Sequence, residues 1–275
     1  MSPETDPINV ALTIAGSDGS GGAGIQADLK TFQALGVYGV SAVTAVTVQN
    51  TRQVYAVQEI EPQIVHDQIA CLFDDMAIDC VKIGMVSSSE LIHILARALS
   101  AVACPPVVLD PVMVSSSGYN LLRPDARQTL IEHLLPLATV VTPNIREAEI
   151  LAGGKISNPE QMKAAACRIT ELGADRVVVT GGHLTGDQAT DILYDGQSFL
   201  RLDSPRLNTP DPHGTGCTFS AAIAAFMAKG VPFFDAVRQA KRYISGAIAH
   251  CLPLGKGHGP THHFFDLYAK AGLKL

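Results

Sequence analysis

The feature that most constrains the fold of this chain is a repeated alternation. Short, nearly continuous apolar runs rich in β-branched residues are each followed by a longer stretch with helical spacing. Strand-like runs fall at 8–15 (INVALTIA), 40–48 (VSAVTAVTV), 79–83 (DCVKI), 106–110 (PVVLD), 138–142 (ATVVT) and 176–180 (RVVVT). Helical patterns occupy 22–35, 63–76, 88–101, 124–135, 144–152 and 159–172. Strands without polar alternation are buried on both faces, and helical crossovers between them make the pairing parallel. Past residue 187 the pattern changes to two short strands, 190–194 and 198–202, and two long apolar helices near 214–229 and 233–251. There is no repeat, low-complexity tract or Pro/Ser-rich linker. The 275 residues therefore read as one α/β domain, with residues 1–7 expected as a flexible N-terminal tail.

Apolar residues make up 47% of the chain and charged residues 17%, enough for a sizeable core. The net charge of −6 comes without any basic run, which argues against nucleic acid or an anionic membrane as the main partner. The start, MSPETDPIN, is polar and acidic, unlike a signal or transit peptide, and no apolar stretch reaches a membrane span unbroken. A cytoplasmic protein is expected. Its cysteines, at 71, 80, 104, 167, 217 and 251, form no C-x-x-C pair and read as reduced thiols.

Ligands of open parallel sheets gather beyond the carboxyl ends of the strands. Here those ends carry GSDGSGGAG (16–24), Gln49-Asn50, Gly84-Met85, Asp110, Pro143-Asn144 and Gly181-Gly182-His183. Gly19, Gly21 and Gly24 satisfy G-x-G-x-x-G, but the second strand ends in Thr47-Val48-Gln49-Asn50, without the acid a dinucleotide ribose requires. Small residues that let a ligand approach the backbone are the better reading. In the helix that follows, Asp28 falls inside the apolar stripe of Ile25, Leu29, Phe32 and Leu35. An inward carboxylate needs a ligand or a partner, and a core hydrogen bond would serve equally. The primary amide of Gln49 can read a ring nitrogen beside an exocyclic amine, or simply lie on the surface.

The strongest local signal is His213-Gly214-Thr215-Gly216-Cys217-Thr218, opening a helix that is apolar nearly all round. Such a helix is buried, so its first amides and its dipole favour an anion in the interior. It is no Walker A loop, since no Lys-Ser/Thr follows the glycines. The same field would lower the pKa of Cys217 and so could supply a thiolate beside a substrate hydroxyl; a small packing residue is the other reading. Glu147, in the first turn of an N-x-x-E helix start, and Asp110, at its strand end, are candidates to hold Mg²⁺. Glu147 could instead only complement the helix dipole.

Taken together, AGSDGSGGAGIQADLKTFQALGVYG (15–39), TAVTVQNT (44–51), VKIGM (81–85), VLDPVM (108–113), TPNIREAEIL (142–151), GGHL (181–184), HGTGCTFSAAIA (213–224) and GKGHGPTHHF (255–264) resemble the hydroxymethylpyrimidine/phosphomethylpyrimidine kinases of thiamine biosynthesis, within the ribokinase-like superfamily. The resemblance implies a three-layer α/β/α fold, with a mostly parallel central sheet and a small β lid near 51–60, and a homodimer. It implies Mg²⁺ and ATP as co-substrate for two successive phosphorylations of 4-amino-5-hydroxymethyl-2-methylpyrimidine. On it, Gln49 would bind the pyrimidine, and Asp28, Gly16, Met85 and Val112 would line its pocket. Gly214 and Gly216 would shape the anion hole, and Cys217 would stand where most relatives have an Asp base. Asn144, Thr180, Gly182 and Thr215 would meet ATP, with Glu147 and Asp110 at the metal. The chain departs from the family in two places: Thr180 replaces a frequent Lys, and Pro210-Asp211-Pro212 replaces a polar stretch. An ammonium lost at 180 leaves either another cation or the anion hole with Mg²⁺ to hold the phosphates. A vitamin B6 kinase of the same superfamily is the near alternative; a nicotinamide-dependent oxidoreductase and a non-catalytic vitamin binder are the distant ones.

Overall fold

A computed structural model describes residues 8–115, 117–182, 184, 187–207 and 213–274, so His183, the 210–212 stretch and the 1–7 tail lie outside the described residues. The alternation in the sequence becomes β1 (Val10–Asp18), α1 (Gly24–Ala34), β2 (Tyr38–Gln49), β3 (Val54–Glu59), α2 (Pro62–Asp75), β4 (Cys80–Ile83), α3 (Ser89–Ser100), β5 (Val107–Leu109), α4 (Ala126–His133), β6 (Val140–Val141), α5 (Ile145–Ala152), α6 (Pro159–Glu171) and β7 (Val177–Thr180). There follow β8 (Gln188–Tyr194), β9 (Phe199–Pro205), α7 (Thr215–Ala228), α8 (Phe233–Ala249) and α9 (Phe265–Lys270). The strands form one sheet in the order β3-β2-β1-β4-β5-β6-β7-β8-β9. Pairing is parallel from β2 through β7, while β3 at one edge and β8–β9 at the other pair antiparallel.

Strand side chains alternate between two cores, as a period of two requires. Leu12, Ile14, Val81, Ile83, Val107, Leu109, Val177 and Val179 face the side covered by α2 to α6. Ala11, Cys80, Val108 and Val178 face α1, α7 and α8. Three layers result. The helix α7 is buried along most of its length, Phe219 to Ala225 included, which explains its lack of a polar face. The stretch expected as a lid is β3, an antiparallel edge strand. The structure adds α9, whose Phe265 ring lies 5.2 Å from His250 and 5.9 Å from Tyr243. Six residues with no periodic pattern left no signal for it. The six cysteines are free thiols. No helix of the described residues is long and apolar enough to cross a membrane.

Candidate active site

A cavity of about 700 Å³ opens where the parallel strands end. Gly16, Gln49, Met85, Asp110, Val112, Asn144, Glu147, Thr180, Gly182, Gly214, Thr215, Gly216 and Cys217 all line it. The structure thus brings together residues that the sequence scatters over six strand ends and one helix tip. Asp28 is absent from the lining. It is fully buried, and it belongs to the floor beneath the cavity rather than to the pocket expected for it.

The two glycine loops make the site by packing on each other. Gly214 has φ +83°, and a Cβ there would lie 1.7 Å from the Gly22 carbonyl oxygen. Gly24 has φ +55°, and its Cβ would fall 2.2 Å from the Gly16 oxygen. At these positions the glycine admits another backbone segment, not a ligand. Gly216 does face the opening, its nearest neighbour for an added Cβ being Asp110 Oδ2 at 3.8 Å. Among the described residues no side chain caps α7, so its first amides are available at the cavity wall. The GKGHG segment closes the arrangement: Lys256 N and Gly257 N donate to Thr51 Oγ1, His258 N donates to the Thr51 carbonyl, and His213 N donates to the Gly259 carbonyl.

Under the tip of α7 lies a buried charge cluster. Lys82, fully buried in the middle of β4, pairs with Asp28 at 2.9 Å, and Thr13 Oγ1 donates to the same carboxylate oxygen at 2.6 Å. Asp28 Oδ1 has no hydrogen-bond partner among the described residues. Burial alone would push the Lys82 pKa down, yet Asp28, Cys217 and Asp110 hold it above its ordinary range. Lys82 therefore stays an ammonium. Burial pushes the Cys217 thiol up to about 12 against the pull of Lys82, with Asp110 and Asp28 adding to the rise. This corrects the expectation of a lowered thiol: desolvation outweighs the helix field, and the free protein carries a neutral thiol.

Asn144 and Glu147 form a capping box. Glu147 N donates to Asn144 Oδ1 at 3.1 Å, and Asn144 N donates to Glu147 Oε2 at 3.0 Å. The Asn144 carbonyl oxygen is committed to this cap, which leaves its NH₂ for a ligand. Burial, then the charge of Asp110, lift Glu147 to about 8. Burial likewise raises Asp110, against Lys82, while Ser220 Oγ donates to its Oδ2 at 3.1 Å. Two hard carboxylates, both raised by burial and one of them also by the other's charge, suit a divalent cation that keeps most of its waters. No group of three or more His, Cys, Asp or Glu gathers as a metal cage among the described residues.

A testable pH dependence follows from Glu147. Its ordinary value is 4.5 and its folded value about 8, so between these pH values the folded state holds the extra proton. Stability is then lost as pH rises through that window. Without metal or nucleotide, the wild-type Tm should fall from pH 5 to pH 8 relative to that of Glu147→Gln. Parallel Tm curves would show that Glu147 is not the group responsible.

Sequence reasoning missed three groups. Lys82 was visible as a charge between Val81 and Ile83 in a doubly buried strand, a pattern that demands a buried partner. Lys241 left no signal, being one of several polar residues on α8. Its Nζ lies 2.7 Å from Asp191 Oδ2, and Asp191 is the cross-strand partner of Thr180. An ammonium thus lines the cavity beside the residue that lacks one. His213, finally, contacts both Gln49 and Asp18.

The chain matches the family described as phosphomethylpyrimidine kinase over residues 18–262. A hydroxymethylpyrimidine/phosphomethylpyrimidine kinase from Rhizobium meliloti is 54% identical over 258 residues, covering 93% of this chain and 97% of that protein. An ADP complex of Bacillus subtilis pyridoxal kinase superimposes with a TM-score of 0.87 at 43% identity, covering 94% of this chain and 98% of that one. A phosphomethylpyrimidine kinase from Clostridium difficile gives 0.78 at 46% identity, covering 87% and 99%.

Proposed function

This chain belongs to the phosphomethylpyrimidine kinase family, and we propose on that premise the following chemistry for it. It is a kinase that phosphorylates 4-amino-5-hydroxymethyl-2-methylpyrimidine with ATP, first to the monophosphate and then to the diphosphate, in thiamine biosynthesis. The observation that supports the site assignment is that the tip of α7 shares one cavity with Gln49 and with the Asp110–Glu147 pair. In this reading Gln49 binds the aminopyrimidine, and Gly16, Met85 and Val112 form the walls around it. The substrate hydroxyl oxygen attacks the γ-phosphorus of ATP, the bond from that phosphorus to the ADP oxygen breaks, and the amides of residues 214–217 hold the migrating charge. Cys217 orients the hydroxyl and takes its proton. Because burial keeps the thiol protonated in the free protein, the thiol first gives up its own proton to solvent as the substrates bind, and the thiolate so formed, which Lys82 favours, then takes the hydroxyl proton.

Asp110 and Glu147 would hold Mg²⁺, which supplies charge neutralisation on the phosphates when bound. Asn144, Thr180, Gly182 and Thr215 meet the nucleotide, and Lys241 provides the ammonium that Thr180 does not. The enzyme works as a single domain in the cytoplasm, as a homodimer. Supporting the dimer, Val46 and Val48 of β2 and Tyr55 of the edge strand β3 expose large apolar side chains next to one another.

Incubating the protein with Mg-ATP and the aminopyrimidine alcohol should release two equivalents of ADP per substrate, in two phases. Absence of ADP release would overturn the reading. A second reading, vitamin B6 kinase, draws on the likeness to a structure named pyridoxal kinase. Turnover of pyridoxal in preference to the pyrimidine would establish it instead.

A further inference from the structure

We infer that His213 and Asp18 act as positioning residues that fix which way round the Gln49 amide meets the substrate, and so set the ring specificity of the site. This rests on Gln49 as the ring-binding residue. Asp18 closes β1 and is almost wholly buried. Its Oδ1 accepts from Ser20 N at 2.9 Å and Ser20 Oγ at 2.8 Å, and its Oδ2 from Ala23 N at 2.9 Å and Gly22 N at 3.1 Å. Every one of these partners is a donor, so the group is a carboxylate. Burial would raise it, but hydrogen bonds from His213, Ser20 and Ala23 hold it down at about 2.

His213 Nε2 lies 3.0 Å from Asp18 Oδ2. A carboxylate offers no proton, so Nε2 carries one whether the imidazole is neutral or charged. Gln49 is placed with its amide Nε2 2.7 Å from the same His213 Nε2, an assignment in which amide nitrogen and oxygen are interchangeable. With NH₂ at that end, donor would face donor. The end facing His213 is therefore Oε1, and Nε2–H is shared between Asp18 and Gln49.

The other end of the amide makes the same demand independently. Oε1 is placed there, 3.3 Å from Thr47 Oγ1, but the Ser17 carbonyl lies closer to that hydroxyl, at 3.0 Å, and takes its single proton. Toward Gln49 the hydroxyl can only accept, which requires NH₂ there. Of two lone pairs and two N–H groups, one of each is then used, leaving one acceptor and one donor for a ligand. A ring nitrogen beside an exocyclic amine uses both. A pyridine ring without that amine uses only the donor, so the pinned amide selects the aminopyrimidine.

The test compares His213→Met with His213→Gln, whose amide restores an N–H at similar reach. For His213→Met, KM for the aminopyrimidine alcohol should rise about tenfold or more with kcat within about threefold, and its kcat/KM advantage over pyridoxal should shrink by the same factor. His213→Gln should recover most of both. ¹⁵N NMR of the wild type should show His213 Nε2 as a protonated, pyrrole-type nitrogen. A pyridine-type Nε2 overturns the inference, as does an unchanged substrate ratio in His213→Met when Gln49→Ala raises KM. Should Gln49→Ala leave KM unchanged, the ring-binding role of Gln49 fails first, and the inference with it.

Discussion

Replacing Cys217 by alanine is expected to lower turnover by about 10²–10⁴-fold, the usual scale for losing a group that moves a proton, while KM for the pyrimidine stays within about threefold. In the proposed reading the ring is held by Gln49 and the pocket walls, which the substitution leaves alone. Serine at 217 separates two roles. A hydroxyl can orient the substrate alcohol by hydrogen bonding but is far harder to ionise, so Cys217→Ser should fall close to the alanine variant if proton acceptance dominates. Alkylation supplies a second measurement. Because burial pushes the thiol up to about 12, iodoacetamide should label Cys217 no faster than an ordinary thiol at neutral pH. Turnover unchanged in Cys217→Ala would remove the residue from the chemistry.

Lys82→Met is the substitution expected to cost most in stability, about 3–5 kcal/mol, because it strands the Asp28 carboxylate in a fully buried site. Denaturant unfolding measures this directly. The paired variant Asp28→Asn, Lys82→Met removes both charges, keeps a partner for Thr13 Oγ1 and should recover most of the loss. That recovered protein also reports on catalysis. Lys82 pulls the Cys217 thiol down more strongly than Asp28 pushes it up, so the paired variant should fold yet turn over more slowly. A loss below about 1 kcal/mol in Lys82→Met would mean that Asp28 finds another partner or is held neutral.

Much of the cavity was legible in advance because strand ends can be read from apolar periodicity, and parallel sheets bind at those ends. Gly16, Gln49, Asp110, Asn144 and Thr180 each stand just past or at such an end, and each reaches the cavity. Asp28 misled for a physical reason. Helical spacing correctly turned it inward, but a one-dimensional pattern cannot say whether an inward carboxylate meets a ligand or a lysine 54 residues away. Gly214 was expected to shape the anion hole; that it must lack a side chain to pass Gly22 depends on a loop that only the folded chain brings near.

By itself the sequence determined the layered architecture, the buried helix whose amide-bearing tip faces inward, and the chemical types present at the strand ends. These depend on local periodicity and on side-chain chemistry, which travel with the residue. Tertiary structure alone decided the protonation of Cys217, the pairing of Lys82 with Asp28 and the meeting of Gln49, His213 and Asp18. These depend on desolvation and on partners 54, 164 and 195 residues apart along the chain. Energies of buried charges are set by the nearest few ångströms, and separation along the chain carries no information about that distance.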